Sequence, residues 1–171
     1  MTVKICTIED IGQLLQIYMQ SYGEHYTYLW IDNGESYIRS NFNFDRLNEE
    51  MSNPNSIYFM IYDGECAIGL IKLNINCAVQ GFSADEALEL ERIYFIKEAS
   101  GKGFGKEAIN FVSNFAKQRN KSTVWLKAMD TSAALDFYKK RGFQIIGETK
   151  VTYTNIIEEF SRMYIMVLQL N

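Results

Sequence analysis

Residues 88–112 read LELERIYFIKEASGKGFGKEAINFV. A strand-like run ending near Ile96 passes into a loop with glycine at 101, 103 and 105. It then enters a stretch in which Ala108, Ile109, Val112, Phe115 and Ala116 fall on one helical face. A strand, a glycine-rich loop and a helix N-terminus in that order suit an anion. Backbone N–H groups of Lys102 to Lys106 can point into one concavity, and the helix dipole adds partial positive charge. Gly103 and Gly105 leave a phosphate room to approach. Spacing excludes two better-known loops. GxGxxG would need glycine where Lys106 stands, and GxxxxGK[ST] would need glycine at Ser100 and a hydroxyl at Glu107. A flexible glycine turn without a ligand stays open.

Outward from this stretch, apolar runs predict strands at about 3–8, 57–62, 67–75, 87–96, 123–129, 143–151 and 163–170. YDGEC predicts a hairpin with Asp63 and Gly64 at positive φ. Helices are expected from Ile11, Leu14, Leu15 and Tyr18, with Thr7 and Asp10 as a capping pair; from Phe44 to Met51; after GKGFG; and from Thr131 to a left-handed cap at Gly142. The order is strand, two helices, three strands, helix, strand, helix, two strands, which implies a mixed sheet with helices on its faces.

The 171 residues include one proline, Pro54, and no repeat or low-complexity segment, so residues 1–171 read as a single domain. No apolar run reaches membrane-spanning length, and acidic residues in MTVKICTIEDIG stand where a secretory leader needs apolar ones; a cytoplasmic protein without a membrane partner is expected. Cys6, Cys66 and Cys77 lie in apolar runs without CxxC spacing and read as small hydrophobes, with no metal expected. The net charge of -4 disfavours a nucleic-acid partner and mildly favours a cationic one.

The loop Ser100, Gly101, Lys102, Gly103, Phe104, Gly105 resembles the [QR]xxGxG loop of the GCN5-related N-acetyltransferase (GNAT) family, with Ser100 at the position of Gln or Arg. A second family mark, Asn, Ala, an aromatic-Tyr pair and Gly-Phe, is matched in TSAALDFYKKRGF (131–143) by Ala134, Phe137, Tyr138, Gly142 and Phe143, with Thr131 in place of Asn. Residues 42–76 together with LELERIYF are further similar to the PaiA-type spermidine and spermine N-acetyltransferases. The resemblance implies an α/β (α+β) GNAT fold with a mixed, mostly antiparallel sheet of about seven strands and about four helices. It also implies acetyl-CoA as co-substrate, its pyrophosphate on the glycine loop and on Lys106, with Lys140 and Thr131 as further contacts. Backbone amides at Ile93, Tyr94 and Phe95 would meet the pantetheine arm and the thioester carbonyl.

Acetyl transfer needs a neutral amine, and an alkylammonium with pKa about 10.4 costs about 4–5 kcal/mol to deprotonate at pH 7. Glu89 and Glu91 share one face of the strand. By resemblance Glu91 is the base, against a structural role as partner of Arg92 or another cation, and Glu89 contacts the acceptor. Tyr138 matches the tyrosine that protonates the leaving thiol, against a core-packing role. Tyr26, Tyr28 and Trp30, within an aromatic segment that also holds Tyr22, His25 and Tyr37, can wall a site for a small-molecule ammonium or form a lid over the core. The expected activity is direct N-acetylation of a primary amine such as spermidine or spermine. Protein or peptide acetylation and a non-catalytic CoA-binding module are the alternatives. The assembly stays open, a homodimer included.

Overall fold

The computed structural model describes residues 1–130 and 133–170. In chain order the elements are β1 (Thr2–Ile5), α1 (Ile11–His25), α2 (Glu35–Asn41), α3 (Phe44–Ser52), β2 (Ser56–Asp63), β3 (Cys66–Asn74), β4 (Ala87–Phe95), α4 (Phe104–Lys117), β5 (Thr123–Met129), α5 (Ala133–Lys140), β6 (Gln144–Lys150) and β7 (Arg162–Gln169). The strands form a seven-stranded mixed sheet in the order β1-β2-β3-β4-β5-β7-β6. The β4/β5 pair is parallel, while β1/β2, β5/β7 and β6/β7 are antiparallel. The α+β class and the seven strands expected from the sequence are present. The chain groups into two compact units: Met1–Leu73 with Arg92–Phe104, and Asn74–Glu91 with Gly105–Asn171.

Two local expectations are corrected. The helix count is five among the described residues, because α2 lies inside the segment read as a connection. Its sequence, ESYIRSN, is too short to display a helical period, and a carboxylate upstream starts it. Asp32 accepts from the N–H of Gly34 at 3.1 Å and of Ser36 at 3.0 Å, satisfying donors that the first turn leaves unpaired. In the β2–β3 hairpin, Asp63 remains in the strand and the turn residues are Gly64 and Glu65, with only Gly64 at positive φ (61°). Positive φ at the first central residue alone is the requirement of a type II′ turn, and glycine meets it without strain.

The capping pair does form. Asp10 accepts from the backbone N–H of Thr7 at 2.7 Å, and closes a short 3₁₀ turn, Ile8–Asp10, that leads into α1. All three cysteines are free thiols. Burial pushes the Cys6 thiol up to about 12, whereas Cys66 is exposed at the start of β3 and is not the buried hydrophobe expected.

The first unit is centred on a buried charge network. Alternation along β4 turns Arg92 to the face opposite Glu91. Arg92 meets both carboxylate oxygens of Glu50 on α3, at 3.0 and 3.2 Å, and its Nη1 donates to the hydroxyls of Tyr18 (3.1 Å) and Tyr58 (2.9 Å). Lys72 Nζ on β3 lies 2.8 Å from Glu50, Arg46 Nε lies 2.9 Å from it, and the Tyr58 hydroxyl donates to it. Glu50, Lys72 and Arg92 are all buried. Every buried charge thus has partners of opposite sign or a hydrogen bond, which is the condition for keeping it there. The same unit explains Gly69 on β3. A Cβ there would stand 2.5 Å from the carbonyl oxygen of Tyr94 and 2.8 Å from the Phe95 ring, so only glycine lets β4 come this close.

In the second unit, Ala87, Trp125 and Val167 make a core that Cys77, Val79 and Phe82 of the β3–β4 loop cover. That loop is pinned by Lys121, whose buried ammonium donates to Asn76 Oδ1 (2.6 Å) and to the carbonyls of Ala84 and Asp85 (2.9 Å each). Three acceptors satisfy its three protons. Asn120, at φ 58°, lies in the turn that follows α4 and precedes Lys121.

Burial pushes the Glu50 carboxyl up, but Arg92, Lys72 and the Tyr58 hydroxyl outweigh it and hold the group at about 2. An unfolded glutamate titrates near 4.3. The network's stabilisation is therefore complete above about pH 4.5 and is lost as pH falls toward 2. Glu50→Gln strands two buried cations, which costs about 3–5 kcal/mol, and should lower Tm at pH 7 by on the order of 10 °C. The gap to the unmodified protein should close as pH falls from 4.5 toward 2. Thermal melts followed by circular dichroism at several pH values check this; a gap independent of pH would show that charge is not what Glu50 contributes.

Candidate active site

The glycine loop is built from its ends. After β4 the chain makes a 3₁₀ turn, Lys97–Ala99, with Ala99 N–H donating to Ile96 O and Ser100 N–H to Lys97 O, both at 3.0 Å. The Lys97 N–H donates to the Glu24 carboxylate of α1 at 2.7 Å, which fixes the point where the loop departs. Gly101 (φ 76°) and Gly103 (φ 87°) are left-handed, and Lys102 between them is not. Such alternation turns successive N–H groups toward one side. Among the described residues, chain neighbours apart, nothing lies within 4 Å of where a Cβ at either glycine would stand. Ser100, Gly101, Lys102 and Gly103 are exposed, and α4 begins at Phe104.

Gly105 has another reason to be glycine. Its Cβ would stand 3.2 Å from Cζ of Phe137, so the first turn of α4 lies against the aromatic pair of α5. The two sequence motifs therefore meet at Gly105 and Phe137.

The second motif is a helix C-cap. Phe143 N–H donates to Tyr138 O (3.1 Å) and Gly142 N–H to Lys139 O (3.0 Å), with Gly142 left-handed at φ 89°. This is a Schellman motif, in which the residue after the glycine packs back on the last turn. The packing partner is Tyr138, its ring 5.6 Å from that of Phe143 and 5.3 Å from that of Phe137. The Tyr-xxx-Gly-Phe spacing is thus what locks the Tyr138 ring, which is 8% exposed. Lys106, Lys139 and Lys140 are exposed. Thr131 lies outside the described residues.

On β4, Glu89 is buried and Glu91 half-buried. A single amide nitrogen, Nδ2 of Asn74, donates to Glu89 Oε2 at 2.7 Å and to Glu91 Oε2 at 2.8 Å. Glu89 also accepts from the Cys77 thiol at 3.5 Å and has Lys127 Nζ 3.6 Å away. Burial and the neighbouring Glu89 push that thiol up to about 11, so it donates a proton and is no nucleophile. The cation that the sequence offered to Glu91, Arg92, is bound by Glu50 on the opposite face.

The aromatic segment is dense. Trp30 is buried, donates from Nε1 to the Tyr22 hydroxyl at 2.7 Å and stacks on Tyr37 at 4.7 Å; Tyr22 stacks on Tyr37 at 5.0 Å. Tyr26 is half-buried, 5.2 Å from Tyr22 and 5.4 Å from Tyr94, and burial pushes its hydroxyl up to about 12. Tyr28 is 48% exposed. Within the segment, Trp30 belongs to the core and Tyr28 faces solvent. Near the end of β4, the Tyr94 ring is surrounded by Tyr18, Tyr22 and Tyr26, while Ile93 and Phe95 are half-buried.

Sequence reading passed over Asn74 and Glu24. Asn74 ends a strand and Glu24 sits on an exposed helix turn, so neither belongs to a motif. Their partners, Glu89 and Lys97, are 15 and 73 residues away.

Fold and local geometry together define an α+β protein with a left-handed glycine turn opening a helix and a Schellman-capped tyrosine. Residues 12–143 match the acetyltransferase (GNAT) family. An uncharacterized N-acetyltransferase from Lactobacillus delbrueckii subsp. lactis, encoded in the pepI 3′ region, is 32% identical over 114 residues. The match covers 66% of this chain and 65% of that protein, a little under two thirds of the relative's length. The PaiA N-acetyltransferase of Thermoplasma acidophilum, crystallised with coenzyme A, superposes with a TM-score of 0.76 at 23% identity, covering 99% of each chain. A spermidine N-acetyltransferase SpeG chimera from Vibrio cholerae and hSSAT gives 0.73 at 19% identity, over 99% of this chain and 95% of that one. The chain belongs to the acetyltransferase (GNAT) family. Among the described residues, no helix is long and apolar enough to cross a membrane and no group of three metal-ligating side chains occurs.

Proposed function

We propose that the protein transfers the acetyl group of acetyl-CoA to a primary amine of a small polyamine, by direct attack without an acyl-enzyme. The observation that carries this reading is the junction of the two motifs. A left-handed glycine turn opens α4, and its third glycine lies under Phe137, the neighbour of Tyr138. The pyrophosphate of CoA rests on amides from Gly103 to Lys106, with Ser100, Gly101, Lys102 and Phe104 shaping the loop and Lys140 adding charge. Amides of Ile93, Tyr94 and Phe95 receive the pantetheine arm and the thioester oxygen; one such donor in a water-poor site is worth roughly 3–4 kcal/mol. When bound, acetyl-CoA supplies the activated acyl group.

The residues then move protons. Glu91, directly or through water, takes a proton from the substrate ammonium, and the neutral nitrogen attacks the thioester carbon. The N–C bond forms and the C–S bond breaks. The departing sulfur takes a proton from Tyr138, the second proton lost by the acylated nitrogen restores the tyrosine through water, and the proton on Glu91 returns to solvent. Tyr26, Tyr28 and Trp30 supply aromatic surface and Glu89 negative charge toward a polycation. Likeness of fold to a spermidine N-acetyltransferase and the net charge of -4 support a polyamine acceptor.

Thiol release from acetyl-CoA against polyamines, amino acids, aminoglycosides and peptides tests the reading. Spermidine and spermine should be the preferred acceptors. Turnover with a peptide N-terminus and none with polyamines would replace it by peptide acetylation.

The loop is tested by calorimetry. Gly103→Val should weaken acetyl-CoA binding at least tenfold. Gly103→Asn should do so too while melting near the unmodified protein, because asparagine tolerates the left-handed backbone but still fills the phosphate's approach. Unchanged affinity in both folded variants overturns the assignment.

Tyr138→Phe keeps the ring that packs on Phe143, so Tm and acetyl-CoA affinity should change little. The turnover number should fall by about 10²- to 10⁴-fold, with a small change in the Michaelis constant for acetyl-CoA. Retention of more than about half of the turnover removes Tyr138 from the mechanism.

A further inference from the structure

The bridge between Asn74 and the two glutamates of β4 has a consequence for the base. Both carboxylate oxygens accept from the same nitrogen, at 2.7 and 2.8 Å, so the two groups lie side by side. Like charges this close repel, which favours binding a proton. A protonated pair cannot accept a proton from an ammonium. Donors that favour the charged forms oppose this. Glu89 has several: Lys127, the Cys77 thiol and the Asn74 amide. The Asn74 amide touches both carboxylates. The assignment of its nitrogen follows from the neighbours, since an amide oxygen turned toward two carboxylates would be repelled by both.

We propose that Asn74 is a positioning residue for the general base: it holds Glu91 in place beside Glu89 and offsets the repulsion between the two carboxylates. Asn74 is the last residue of β3, just ahead of the loop that Lys121 pins. The proposal rests on the acetyl-transfer reading, in which Glu91 takes the proton of the acceptor ammonium.

Two measurements on the full chain test it separately from that reading. The first is the pH dependence of kcat/KM for spermidine in the unmodified protein and in Asn74→Ala, Asn74→Leu and Asn74→Gln. Removing the donor should move the acidic limb upward by about one pH unit or more, and lower kcat/KM roughly tenfold on that limb. Acetyl-CoA affinity should hold, and Gln, which restores an amide, should recover part of the loss. The leucine variant fills the volume of the asparagine and covers the case in which alanine does not fold. The second is a carbon-13 NMR titration of glutamate side-chain carboxyls, with Glu89→Gln and Glu91→Gln for assignment. The apparent titration of the pair should rise by a similar amount in the alanine and leucine variants, whether or not any amine is acetylated. A pair that titrates as in the unmodified protein after loss of Asn74 overturns the proposal. Absence of turnover with every amine overturns the acetyl-transfer reading, and the titration still decides the role of Asn74.

Discussion

A β-strand turns successive side chains to opposite faces, and β4 is where this constraint governs the molecule. Leu88 and Leu90 are buried, and Arg92 on the same face enters the network of Glu50, Lys72, Tyr18 and Tyr58. Glu89 and Glu91, one step out of phase, turn the other way and meet Asn74. A slip of one residue would exchange the two sets. It would carry a guanidinium to the carboxylate side and leave Glu50 among cations without its bidentate partner. Register here is therefore held by charge as well as by apolar burial.

Glycine does different work along the following loop, and the differences explain why its spacing is strict. Gly101 and Gly103 serve the backbone, both left-handed with nothing among the described residues, chain neighbours apart, near the missing Cβ. Gly105 serves a neighbour, the Phe137 ring. Gly142 serves a helix end, where its left-handed conformation closes the Schellman cap and brings Phe143 onto Tyr138. One residue type thus answers a conformational need and a packing need, and both needs fall on the elements expected to carry the chemistry.

The aromatic segment after α1 illustrates how a composition signal divides once packing is known. Tyr22, Trp30 and Tyr37 form a stacked, hydrogen-bonded group with Trp30 buried, so these rings hold the segment's shape. Tyr28 stays exposed, and Tyr26 lies between the two conditions. A clustered aromatic stretch therefore combines a rigid wall and an exposed ring, which sequence alone groups together.

What the sequence by itself determined is what local chemistry encodes: the period-two runs of the strands, the helical face after GKGFG, the glycines that demand left-handed backbone, and the two motifs in their order. Strand ends fell within about three residues of the observed ones, because turns and caps are written in neighbouring residues. The tertiary structure decided the rest. The helix α2 exists because Asp32 caps a turn too short to show a period. Cys66 is exposed because its strand begins at a hairpin. Arg92 found Glu50 across 42 residues, and Asn74 found both Glu89 and Glu91. Such pairings depend on which strands lie side by side and in what register, and that follows from burial summed over the chain, which no single segment contains.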